Sequence, residues 1–161
     1  VYLEKGSQLT IQEHNSWQGS ISWNIVLMEP YAKLSHTGRI RATQGSSQAI
    51  WNVHHEAPYT ESQVDMRAVL DGTTQLNQDV SLHVPAGRPG CIAHQSADIL
   101  TLDPSAKANI IPRLLVSTDT ANCSHGARIR TLKPRDLFYL QTRGIPEAEA
   151  REMVVEGVLH I

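Results

Sequence analysis

Asn122-Cys123-Ser124-His125-Gly126-Ala127 puts a thiol and an imidazole two residues apart, in a segment that reads as a strand. Side chains at i and i+2 of a strand share a face, so Cys123 and His125 project together and Ser124 points the other way. A soft thiolate beside an imidazole suits zinc, copper or iron–sulfur chemistry. Four ligands are usual for such sites and this strand offers two, so the pair alone does not make a metal site.

Other residues of the same types are less organised. Cys91 precedes His94 by three, but no second pair lies at zinc-finger distance, so Cys91 is read as a small buried thiol. His54 and His55 are adjacent and face opposite ways on a strand. They are read as surface imidazoles, as are most of the eight histidines. Asp65, Arg67 and Asp71 could be assembled into a polysaccharide-cleaving cluster, yet any strand with a wet face carries such residues. Glycine-rich phosphate loops, Gly-x-Ser-x-Gly elbows and His-Glu-x-x-His helices are absent from the sequence, and no enzyme is expected.

The elements that must position these groups are mostly strands. Ile21, Trp23, Ile25 and Leu27 alternate with polar neighbours, as do Val64, Met66, Ala68 and Leu70, and again Val80, Leu82 and Val84. Each run predicts a strand with one buried face. Glu29-Pro30, Gly45-Ser46, Asp71-Gly72, Pro85-Ala86-Gly87, Pro89-Gly90 and Asp103-Pro104 punctuate them as turns. A sandwich, a barrel and a parallel β-helix all fit this pattern. The period then changes. Pro134 suits the first position of a helix carrying Leu137, Phe138, Leu140 and Gln141. Arg143-Gly144 reads as its end, and Pro146 opens a second helix with Ala150, Met153, Val154 and Val158 on one face. This helical pair is expected to cap the end of the strand stack or to offer an apolar face to a partner.

Composition narrows the classes. The chain has 161 residues, 40% of them hydrophobic, enough for one domain with a core. Net charge is −2 and basic runs are absent, so nucleic acid is not an expected partner. Neither a bilayer-length apolar stretch nor a signal peptide is recognisable, so no membrane partner is expected. Two cysteines make no disulfide framework and suggest a reducing, cytoplasmic setting.

Pro112-Arg113-Leu114, Cys123-Ser124-His125-Gly126-Ala127, Leu137-Phe138-Tyr139-Leu140 and Arg143-Gly144-Ile145, with Ala150 beyond, occur in this order. Together they closely resemble the C-terminal half of the SufB/SufD family, scaffold subunits of an iron–sulfur cluster assembly machine. The Cys-Ser-His-Gly form looks more like SufD than SufB, which tends to carry Glu-His-Glu there. The strong match covers the last third of the chain, and Val64 to Gly72 and Ala106 to Pro112 fit more loosely.

The resemblance implies an all-β fold, a right-handed parallel β-helix (solenoid) over 1–131, with a short C-terminal helical pair over 132–161. It implies a SufB-type partner or a homodimer, and a SufC-type ABC ATPase that hydrolyses the ATP. His125 would lie at the subunit interface and serve the site of nascent cluster formation, with Cys123 beside it as a further metal ligand or persulfide carrier. A cluster would be transient, with no cofactor stably bound. The alternative is a non-catalytic β-helical module that binds protein or glycan, with Cys123 merely buried. Arg128 and Arg130 depart from the family, where small residues or glycine are commoner. The start at Val1 and the missing C-terminal extension fit a processed product or part of a longer protein.

Overall fold

A computed structural model describes residues 1–15 and 18–160, Asn15 by its backbone alone. Ser16 and Trp17, within the expected solenoid segment, and Ile161, the last residue of the expected helical segment, lie outside the described residues. The strands are β1 (Tyr2–Leu3), β2 (Gln8–Asn15), β3 (Gly19–Leu27), β4 (Lys33–Ala42), β5 (Ser46–His55), β6 (Glu61–Leu70), β7 (Gln75–Val84), β8 (Ile92–Thr101), β9 (Lys107–Val116) and β10 (Asn122–Thr131). Helices α1 (Pro134–Thr142) and α2 (Glu147–Leu159) follow.

Odd strands form one sheet in the order β1-β3-β5-β7-β9, and even strands a second in the order β2-β4-β6-β8-β10. Every pairing is parallel. Successive strands therefore belong to different sheets, and the chain winds as a parallel β-solenoid. This settles the choice that alternation left open: a sandwich of hairpins would pair neighbouring strands antiparallel. Stacking the coils in register turns each inward position into a column. One column of the odd sheet runs Trp23, Trp51, Val80, Pro112. Two columns of the even sheet run Leu9, Leu34, Ser62, Ala93, Cys123 and Ile11, His36, Val64, Gln95, His125.

The core fills the lumen between the sheets. Ile25, Leu27, Leu34, Ile40, Trp51, Val53, Leu70, Leu82 and Ile99 are fully buried there. The lumen is not wholly apolar. Buried His36 sits against the Trp51 ring at 3.7 Å between centroids, and its Nε2 lies 3.3 Å from the Glu13 carboxylate, which also accepts from Trp23 Nε1 at 3.1 Å.

The corners explain how strands of ten residues can turn without hairpins. Tyr31 and Tyr59 each follow a proline, each takes a left-handed backbone (φ 67° and 58°), and their rings stack at 5.6 Å. The equivalent residue of the next coil is Gly90, where an added Cβ would lie 2.5 Å from the Tyr59 ring. The stacking of one corner on the next thus demands glycine there.

Helix α2 lies against the outward face of the even sheet, over β6 and β8, and α1 packs on α2, so the pair does not lie across the end of the stack. Val69 and Leu100 on that face, with Leu102, Leu132, Leu137, Ala150, Val155 and Val158, form a second core. The expected capping role is therefore corrected. Of the expected apolar faces, Leu137, Ala150 and Val158 are buried and Leu140 and Val154 half-buried, whereas Phe138 and Met153 are exposed and Val155 is buried as well. The α2 helix is pinned by Arg41 of β4, whose guanidinium donates to both Glu152 carboxylate oxygens at 2.5 and 2.8 Å.

Candidate functional site

Strand β10 pairs with β8 on one side, and among the described residues nothing pairs with its other side. Its inward side chains continue the lumen columns, but all except half-buried Cys123 are exposed. Gln95 is 3% exposed, whereas His125, its register partner, is exposed. Ile99 is 1% exposed and its partner Ile129 is 47% exposed. On β9, Ile110, Pro112 and Leu114 are half-buried where their β7 partners Gln78, Val80 and Leu82 are buried. The last coil is thus an open end whose floor is the ordinary core and whose rim carries the thiol and the imidazole.

Alternation holds along β10. Cys123 is half-buried and packs on the main core, while Ser124 faces outward and shares a 2.7 Å hydrogen bond with His94 Nδ1. Cys123 and His125 belong to inward columns two residues apart. Burial pushes the Cys123 thiol above its ordinary pKa, with a backbone hydrogen bond from Ala93 opposing and Cys91 adding slightly. Such a group is a thiol near neutral pH, and binding to a metal would have to displace its proton. Among the described residues no group of three or more His, Cys, Asp and Glu side chains could hold a metal ion.

The remaining sequence-level residues are placed as follows. Cys91 is fully buried, and the Cys-x-x-His spacing splits its members: Cys91 points into the core and His94 out of it. His54 and His55 do face opposite ways, but His55 is not a surface imidazole. It is completely buried, with Nδ1 2.8 Å from Thr60 Oγ1 and Nε2 2.8 Å from Ser62 Oγ. Thr60 Oγ1 in turn lies 3.3 Å from Cys91 Sγ. Burial, with a smaller push from neighbouring His54, lowers the His55 pKa to about 4. His36 is likewise buried, so reading most histidines as solvated overlooked the two that the lumen holds.

Asp65 accepts from Arg39 at 2.7 Å and from Ser96, and lies 3.6 Å from Arg67. Asp71 accepts from the Gly72 backbone N–H in a turn. Neither is a free acid of a hydrolytic pair. Arg128 and Arg130 share one carboxylate: Asp98 of β8 accepts from Arg128 at 2.5 Å and from Arg130 at 3.4 Å, and the two guanidiniums hold it below its ordinary pKa although burial opposes them. The spacing alone gave no hint of Asp98, because the pairing joins residues thirty apart through the strand register.

A parallel solenoid with an uncovered last coil and a thiol and imidazole on its rim defines a class: a β-helical core that ends in an open sheet edge. Residues 1–158 match the family model described as SUF system FeS cluster assembly, SufBD core domain. The chain belongs to that family. It is 32% identical over 138 residues to an iron-sulfur cluster assembly SufBD family protein of Staphylococcus saprophyticus. It is 30% identical over 137 residues to proteins of the same description from Staphylococcus epidermidis and Staphylococcus haemolyticus. Each alignment covers 84% of this chain and 30% of the relative, so the chain spans under a third of the proteins it matches. No helix among the described residues is long and apolar enough to cross a membrane.

Proposed function

We propose that this chain is the core of a SufD-like scaffold subunit, and that its open last coil is the surface that meets a SufB-type subunit or a second copy. The observation that carries the reading is the change in exposure along two columns: Gln95 to His125 and Ile99 to Ile129 pass from core to rim in one strand step. An unpaired parallel strand with half-covered apolar side chains is a template for pairing with another sheet edge. On that rim Cys123 and His125 supply an incomplete ligand set, and the partner supplies the rest. Mixed cysteine and histidine ligation is within iron–sulfur chemistry.

The cluster is cargo, held while it forms and then passed on. In this reading the chain is not itself an enzyme, and no cofactor stays bound. ATP is hydrolysed by a SufC-type ATPase, and the setting is the cytoplasm, in keeping with two cysteines that are both free. The test is anaerobic co-purification with SufB-type and SufC-type subunits, then reconstitution with iron and sulfide followed by visible absorption. A stable complex whose cluster band weakens in His125→Ala is the expected result. A complex that loads its cluster equally well in His125→Ala would remove His125 from the site. A chain that forms no complex and loads no cluster would favour a β-helical protein- or glycan-binding module.

A further inference from the structure

The outward face of the odd sheet carries a histidine pair far in the fold from β10. His54 of β5 and His83 of β7 are register partners on adjacent parallel strands. Their chain neighbours Val53, His55, Leu82 and Val84 are buried, so both imidazoles point away from the lumen. The ring centroids are 5.5 Å apart and the planes are 77° from parallel.

That geometry is close to the one a shared ion requires. With metal–nitrogen bonds of about 2.0–2.1 Å and a cis angle between right and tetrahedral, two coordinated imidazoles have centroids about 5 Å apart. The centroid separation is within a fraction of an ångström of this, and planes 77° from parallel cross, so one point can lie in both. Parallel stacked rings would aim their lone pairs alike and could not converge on one ion. The column is Tyr2, Val26, His54, His83, Leu115, so apolar residues flank the pair on both sides. Nearby charges are already engaged: Glu56 lies 3.8 Å from Arg88, and Arg113 is paired with Asp79. No third histidine, cysteine or carboxylate joins them among the described residues.

We propose that His54 and His83 form an open, two-ligand site for a borderline divalent transition-metal ion, with water completing the coordination. Imidazole suits zinc, copper, iron and nickel, and a site with only two protein ligands exchanges its ion readily. The site is on the opposite sheet from Cys123 and His125 and does not depend on the scaffold reading.

Cu²⁺ is the probe of choice, since it binds nitrogen sites most tightly of the first-row divalent ions. Calorimetric titration of the intact chain near neutral pH, in a non-coordinating buffer, should show a one-to-one component. His54→Gln and His83→Gln should each weaken that component by at least about tenfold, and the double variant little further, because the two share one ion. Electron paramagnetic resonance of the Cu²⁺ form should show coupling to two imidazole nitrogens. His14→Gln and His94→Gln should leave both readouts unchanged. The side chains are on the surface, and circular dichroism checks that each variant folds. Survival of the component in His83→Gln, its loss in His14→Gln, or a spectrum with one nitrogen would overturn the proposal.

Discussion

The molecule holds two groupings of cysteine and histidine, one coil apart, and the fold treats them oppositely. Cys91 and His55 lie inside a closed coil, joined through Thr60 and capped by Ser62. Cys123 and His125 lie on the last coil, where no further strand covers them among the described residues. The two sets are linked by one column, since Ser62, Ala93 and Cys123 are register neighbours. Burial holds His55 neutral and Cys91 inaccessible, so residue types suited to metal or sulfur chemistry become packing. Reactive potential in this solenoid is a matter of which coil a residue is on, more than of which residue it is.

The largest effects should separate closed from open coils. Trp51→Ala empties a fully buried site and should cost about 3–5 kcal/mol in urea unfolding, whereas Ile129→Ala should cost less than about 1 kcal/mol in the isolated chain. An equal cost at Ile129 would mean the last coil is already covered, for example by self-association.

Acid should act on the closed coil next. The His55 pKa falls from 6.5 unfolded to about 4 folded, so between these values the unfolded chain binds the extra proton. The contribution of neutral His55 is complete above the unfolded value and is lost as pH falls through this window, by about 3 kcal/mol. His55→Gln should lower stability at neutral pH yet flatten the decline between pH 6.5 and 4, measured by urea unfolding across that range. An undiminished slope would assign the acid sensitivity elsewhere.

Thiol reactivity sharpens the same contrast. A disulfide reagent should label Cys123 in the native protein, slowly because its pKa is raised, and Cys91 only on unfolding. Native labelling of both would show that the closed coil opens. The smallest effect belongs to the exposed clasp on α2: Arg41→Ala should cost no more than about 1 kcal/mol by thermal or urea unfolding.

Much of the scaffold was legible in the sequence. Alternation through Ile21 to Leu27, Val64 to Leu70 and Val80 to Val84 located buried strand faces, and Pro134 and Gly144 marked the ends of α1, with Gly144 at φ 85°. Parallel pairing was not legible from periodicity, because register between strands some thirty residues apart leaves no local signature. The family words supplied it. Exposure of the last coil was equally hidden: Ile129 alternates as Ile99 does, and only the missing neighbour strand tells them apart. His55 escaped notice because its partners, Thr60 and Ser62, lie five and seven residues on, and nothing in the strand pattern marks that contact. Val155 was missed because Met153 fits the same helical stripe, and the choice between them depends on where Val69 and Leu100 project.

The central claim is that β10 is the edge through which this chain meets its partner. Amide hydrogen exchange of the chain, alone and with a SufB-type subunit, tests it most directly. The prediction is new protection concentrated in Asn122–Thr131 and Lys107–Val116, with β4 and β6 unchanged. A stable complex that leaves β10 exchanging as in the free chain, and protects another surface instead, would contradict it.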